Sequence, residues 1–198
     1  MNIFVVDSDP VVSAQMLCDK HVVKMIVESA QMLSTVRRML DGELTKQPSK
    51  SGKTMVKHWR LTDSEEALLY KAVHMGHPCT IWTAESGENY DWHYQHFMGL
   101  CKEYTYRYGK IHSTELLLGE ALRARPKNIP NEPMTEFAVA MKMFPECIVP
   151  GNPVQSYRNF YHQAKPFAAW SKNRPAPYWW QGYRSESVGL PHNEMRQY

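Results

Sequence analysis

No two of the four cysteines, Cys18, Cys79, Cys101 and Cys147, stand close together in the chain. That spacing excludes a C-x-x-C metal or redox motif and the disulfide framework of a small secreted domain, so they read as reduced thiols of a cytoplasmic protein. No apolar run approaches the roughly 20 residues that span a bilayer, and the start carries no basic stretch followed by an apolar one. The expectation is a cytoplasmic protein with no membrane partner. Strong charge of one sign is also missing: the formal net charge is +3, which permits a phosphate-bearing partner without demanding one. The run Pro48-Ser49-Lys50-Ser51-Gly52-Lys53-Thr54 lacks the glycine of a phosphate-binding loop, because the position five before Gly52 is Gln47. There is no internal repeat and no second hydrophobic period to mark a further domain.

What the sequence does have is aromatic side chains, 6 Trp and 11 Tyr among 198 residues, crowded towards the C-terminal half. It also carries clear helix punctuation. Asp9-Pro10 and Asn152-Pro153 each pair a capping side chain with a first-turn proline. Between Val11 and Leu40 nothing breaks a helix. Thr62-Asp63-Ser64-Glu65 has the spacing of a capping box opening a helix to His74. A helical period runs from Thr80 to Tyr108, with a break or kink at Gly87 and a stop at Gly109. A short helix starts at Ser113, another covers Met134 to Met143, and Pro166 ends the one that begins at Asn152. The expected fold is all-α: a compact helical bundle forming one domain over residues 1–198, with residues 43–57 a mobile polar loop and 173–198 an irregular tail.

Three clusters carry candidate chemistry. On the first long helix His21, Lys24, Glu28 and Gln31 recur at +3, +7 and +10 and stack on one face of an otherwise apolar segment. Unpaired charge is costly on a buried helix, so this stripe either pairs internally, Lys24 with Glu28, or lines a cleft. In a cleft, Glu28 would be a general acid/base or electrostatic carboxylate flanked by a histidine and a lysine. In the second cluster His77 sits on a turn before a helix, a place suited to an anion, and Trp82, Glu85 and Asn89 share a helical face, with core packing the alternative for Trp82. The third runs from Tyr157 to Trp180 and includes Arg158, Tyr161 and Lys165. Its alternation of cations and rings suits phosphates and unstacked bases, or equally an aromatic core. His21, Glu28, His74 and His77 show no known metal-ligand spacing, so no metal and no cofactor is expected.

The segment Leu17 to Leu33, with His21, Glu28 and Gln31, resembles the first long helix of the phage pyrimidine-dimer DNA glycosylases of the endonuclease V type and their bacterial relatives. The stretch from His77-Pro-Cys-Thr-Ile-Trp82 to Gly109 resembles that family's glycine-histidine turn and following helix, and the aromatic-basic end is similar in character. The resemblance covers some 80 residues in two blocks. It implies an α-helical, metal-free enzyme in which an N-terminal α-amine forms a Schiff base at the sugar C1′, while the glutamate, here Glu28, stabilises the charged sugar. Three positions depart from the pattern: Asn2 is bulky enough to retain Met1, and two family arginines are Val27 and Gln31 here. Lys24 either replaces one of those charges or is itself the amine nucleophile. The leading expectation is a DNA glycosylase, with or without lyase activity, whose partner is DNA. The alternatives are a hydrolase or transferase acting on a free nucleotide, and a non-catalytic nucleotide- or nucleic-acid-binding protein.

Overall fold

A computed structural model describes residues 1–49 and 51–184. It is mostly helical, with seven α-helices and one two-stranded sheet among the described residues. The first helix, α1 (Pro10–Met16), starts where expected: the Asp9 carboxylate accepts from the Val11 and Val12 amides at 2.9 and 2.8 Å. The helix expected to run unbroken to Leu40 is nevertheless two, because Leu17 and Cys18 are extended before α2 (Asp19–Asp41) begins. A distant segment takes over the backbone groups at the break. The Asp19 amide donates to the Ala169 carbonyl at 2.9 Å, and the Trp170 indole donates to the Met16 carbonyl at 3.0 Å.

Residues expected to be a mobile loop form an antiparallel hairpin, β1 (Glu43–Pro48) and β2 (Met55–Arg60), so the fold is not strictly all-α. Ser49 and Gly52 close the turn, with Gly52 in the left-handed region at φ 72°. The next helix, α3 (Asp63–Leu68), is shorter than expected. The capping box is not made, since the Thr62 hydroxyl donates to the Glu65 carboxylate at 3.3 Å instead of receiving an amide. Its end is set from α2: the fully buried Arg38 guanidinium holds the carbonyls of Glu66, Leu69 and Tyr70 at 3.1, 2.8 and 2.7 Å.

Helices α4 (Pro78–Glu85) and α5 (Gly87–Tyr108) meet at the break expected near Gly87, where a Cβ would collide with the Arg125 guanidinium. Gly109 ends α5 at φ 68°. Helix α6 (Ser113–Leu118) is capped by His112, whose ring accepts from the Thr114 amide at 3.1 Å, and not by Ser113. The helix expected over Met134–Met143 is absent. Side chains claim its amides instead: Glu88 takes that of Met134, Asn89 that of Thr135 and Tyr157 that of Ala140. The last helix, α7 (Pro153–Ala164), is capped by Asn152 and stops before Pro166. Residues 173–184 carry no regular element, and the rest of the expected tail, 185–198, lies outside the described residues.

Both α1 and α2 pack on α5, and α2 also packs on α4. One cluster of buried side chains joins the N-terminal arm Ile3–Val6 to α2, α5 and α7. The four cysteines are free and buried. No helix among the described residues is long and apolar enough to cross a membrane.

Three buried histidines make this core sensitive to acid. Burial, assisted by Lys165 and Lys24, pushes His21 down to about 3. Burial alone takes His96 to about 3, and burial with His96 nearby drives His93 well below its usual value. The unfolded chain binds these protons near pH 6.5, so the stability they allow is complete above that pH and declines as pH falls towards 3. Urea unfolding at pH 7 and pH 4.5 should therefore show a large loss. His96→Phe, which keeps the stacking on Trp92 (5.2 Å, 12°), should recover about 2–3 kcal/mol of it at the lower pH. Equal pH dependence in both proteins would refute this.

Candidate active site

The site begins with the N-terminal arm. Phe4 holds a left-handed backbone conformation at φ 57°, a strain of about 1–3 kcal/mol for a bulky residue. Aromatic contacts on several sides compensate it. The Phe4 ring stacks on His21 at 4.3 Å and 22°, and meets Tyr157 and Tyr161 edge-on at 6.0 and 5.7 Å. The Asn2 side-chain Oδ1 accepts from the Phe4 amide at 3.2 Å, and its Nδ2 donates to the Ala140 carbonyl at 2.9 Å. This kinked arm carries the chain start onto α2.

There it meets Glu28. The Met1 amino nitrogen lies 3.6 Å from Glu28 Oε2, to which the Asn2 amide donates at 3.2 Å. Lys24 Nζ, one turn earlier, is 3.1 Å from Oε1. The Glu28 side chain is only 13% exposed whereas Lys24 is 64% exposed, so the carboxylate is held inside the wall and the lysine reaches outward. Both expectations for the stripe thus meet: Lys24 and Glu28 pair, and the pair lines a cleft.

The cleft has a volume of about 680 Å³, within the range of small-molecule sites. Met1, Lys20, Lys24 and Glu28 line one side, with His21 and Phe4 below; Ala140, Met143, Phe160, Lys165 and Phe167 line the rest. Lys165 Nζ lies over the Phe160 and Phe4 rings at 4.2 and 5.3 Å, and Lys20 Nζ lies 5.0 Å from the Phe167 ring centre. Burial, then the neighbouring Lys24, lowers the Lys165 pKa. Three ammonium groups and three phenyl rings around one carboxylate suit a phosphate-bearing aromatic ligand.

Of the residues singled out from sequence, His21, Lys24, Glu28 and Lys165 line this cleft. His21 is a wall residue, its Nδ1 2.5 Å from the Tyr161 hydroxyl. Gln31 is half-buried one turn further along α2 and is not part of the lining. His77 caps α4, accepting from the Cys79 amide at 3.2 Å. It stands beside the amino terminus: burial, then that positive charge, then His74 lower its pKa.

The others serve the interior. Trp82 is 2% exposed and packs on Trp92 and Phe137. Asn89 is fully buried, bonded to the Trp82 carbonyl and to Thr135, and Glu85 accepts from the Thr135 hydroxyl at 2.8 Å. Tyr157 spends its hydroxyl on the Ala138 carbonyl and the Ala140 amide, and Tyr161 is fully buried. Arg158 donates to the Val6 carbonyl at 2.9 Å and covers Tyr178 and Trp179. Trp82, Asn89, Tyr157 and Tyr161 face inward, whereas Glu85 is exposed and Arg158 half-buried.

The sequence reading gave no role in a site to Phe4, Lys20, Ala140 or Met143, and it held Phe160 and Phe167 only as members of the aromatic-basic stretch. For Phe160, Phe167 and Lys20 the signal was proximity to Lys165 and His21. For Ala140 and Met143 there was none, since their approach depends on an extended segment expected to be helical. Among the described residues no three or more His, Cys, Asp or Glu side chains are grouped to hold a metal ion.

Comparison with known proteins gives one result. The family model described as pyrimidine dimer DNA glycosylase matches residues 1–116. No curated protein and no solved structure matches the chain.

The far wall of the cleft is anchored through Asp19. Its carboxylate receives Arg107 at 2.9 Å, the Ser171 amide at 2.7 Å and the Ser171 hydroxyl at 3.0 Å, while Glu103 holds Arg107 and Arg174 at 2.6 Å each. Asp19→Ala should cost about 3–5 kcal/mol in urea unfolding, because it breaks a buried charge network from one side. It should also speed proteolytic cleavage between residues 165 and 174 in the folded protein. A loss below 1 kcal/mol would show that the anchor lies elsewhere.

Proposed function

The chain belongs to the pyrimidine dimer DNA glycosylase family, and we propose that it releases a damaged or modified pyrimidine from DNA with the Met1 α-amine as nucleophile and Glu28 as its carboxylate partner. The observation that carries this reading is the approach of the Met1 nitrogen to Glu28 Oε2, 3.6 Å, at the edge of a cleft of nucleotide size.

In this reading the neutral amine attacks C1′. The glycosidic bond breaks, and its electron pair leaves with the base, which takes up a proton. Loss of a proton from the attacking nitrogen and opening of the sugar ring give a protonated Schiff base. Removal of a C2′ proton then expels the 3′ phosphate by β-elimination, and water frees the amine. Glu28 is placed to accept the proton of the attacking amine and to stabilise positive charge on the sugar.

Lys24 neutralises the other Glu28 oxygen, and with Lys20 and Lys165 it offers cations to the flanking phosphates. His21, neutral until about pH 3 and committed to Tyr161, serves as a flat wall beside Phe4 instead of a proton carrier. Phe160 and Phe167 give an extruded base faces to stack on.

Borohydride trapping on duplexes carrying a thymine dimer, a modified pyrimidine or an abasic site tests this. The expected adduct maps to Met1 by mass spectrometry, survives Lys24→Ala and disappears when the amine is acetylated. Glu28→Gln should lower base release by about 10²–10³-fold while duplex affinity stays within a few-fold. An adduct on Lys24 or Lys165 would overturn the assignment of the amine. Absence of base release and adduct on every duplex, with cleavage of a free nucleotide, would overturn the DNA reading.

A further inference from the structure

A second cationic groove, about 510 Å³, lies between β2 and the segment 71–75, and Lys57, His58, Lys71 and His74 are part of its lining. Between residues 43 and 60 the sequence places four lysines and one arginine against a single glutamate. The strand register sets Lys46 directly opposite Lys57 on one face of the hairpin, both of them exposed. Of that pair only Lys57 is part of the groove lining, where it is joined by Lys71 from the facing segment. Glu66, which reaches His58 at 2.8 Å, brings little free negative charge: its other oxygen is taken by Arg38 at 2.5 Å and the Leu61 amide at 3.1 Å.

The position of this groove relative to the cleft gives it meaning. Segment 71–77 runs beside α2. Val73 is pinned to the Thr35 hydroxyl through both its amide and its carbonyl, at 3.1 and 3.2 Å, and His77 stands beside the amino terminus at Glu28. The segment therefore leads from the groove to the rim of the cleft and carries Lys71, His74 and His77 along the way. From Glu28 to Thr35, beside which Val73 lines the groove, the rise is about 10 Å at ~1.5 Å per residue, equal to about three nucleotides of a duplex strand at ~3.4 Å each. A two-stranded ribbon with basic side chains also fits a duplex groove in width.

We propose that the hairpin Glu43–Arg60 and the segment 71–77 form a second DNA contact, a groove that binds phosphates of the duplex backbone to one side of the reactive nucleotide. This rests on the reading of DNA as substrate. The groove supplies affinity and register, and the cleft supplies the chemistry.

The test is duplex binding across a salt series, with Lys57→Ala/Lys71→Ala set against Lys102→Ala/Lys110→Ala, an equal charge loss at exposed positions on and just after α5. The groove variant should bind a lesion duplex about tenfold or more weakly at 0.1 M salt. Its slope of log K against log salt should be shallower by about 1.8, the effect of two phosphate contacts at ~0.9 each. Its trapping rate at saturating duplex should be unchanged, and Lys57→Arg/Lys71→Arg should restore binding, which separates charge from misfolding. Affinity and slope equal to those of the control would overturn the groove. A wild-type protein that forms the Schiff-base adduct while the groove variant keeps its slope overturns the groove alone. A wild-type protein that binds with a groove-dependent slope but releases no base overturns the glycosylase reading alone.

Discussion

Everything around the cleft depends on one carboxylate that α2 cannot satisfy by itself. Glu28 sits at 13% exposure on a helix, close to the buried Met25 and Met32, and a lone ion there would be expensive. Lys24 supplies one partner from the same helix. The other two, the Met1 amine and the Asn2 amide, come from the chain start. That pairing requires the arm to turn back sharply, which accounts for the strained Phe4. It also requires something to hold Phe4 in place, and the rings of His21, Tyr157, Phe160 and Tyr161 do so. Charge satisfaction at one residue thus fixes the path of the first six residues and the position of α7.

The C-terminal half is built to clamp that arm. Arg158 takes the Val6 carbonyl, Asn2 takes the Ala140 carbonyl, and the Tyr157 hydroxyl ties Ala138 and Ala140 to α7. The aromatic excess in the sequence is therefore divided by function. Tyr157 and Tyr161 are sealed in the core, while Phe160 and Phe167 reach the cleft together with Lys165. In composition the two sets look alike, and only the angle around α7 and the turn after Ala164 separate them.

That division marks how far the sequence could be read. Local signals held where the cause was local: Asp9-Pro10, Asn152-Pro153 and Gly109 start or stop helices through their own side chains or backbone freedom. The stripe on α2 was legible too, because helical spacing alone puts Lys24 and Glu28 together. Where the cause was distant, the reading failed. The break at Leu17–Cys18 has no glycine or proline and exists because Ala169 and Trp170 bind the exposed backbone. Residues 134–143 have helical composition, yet their amides are claimed by Glu88, Asn89 and Tyr157. The hairpin was obscured by its polarity, since lysine and glutamine alternate with weakly apolar partners and Pro48 stands in a strand.

The boundary of the family match divides the cleft in a way that bears on specificity. The matched residues 1–116 contain Met1, Glu28, Lys24, Lys20 and His21. The rest of the lining that was given above, Ala140, Met143, Phe160, Lys165 and Phe167, lies wholly beyond them. Membership in the family therefore speaks for the bond that is cleaved more than for the base that is accepted. Two arginines expected near the glutamate are replaced by Val27 and Gln31, and of the three cleft lysines, Lys20, Lys24 and Lys165, the last comes from the unmatched wall. Lys165 lies over Phe160, where its charge and the ring offer a phosphate and a stacking surface from the same direction. On the proposed reading, the base would be met largely by residues beyond the family match, and the reaction would be carried by residues within it.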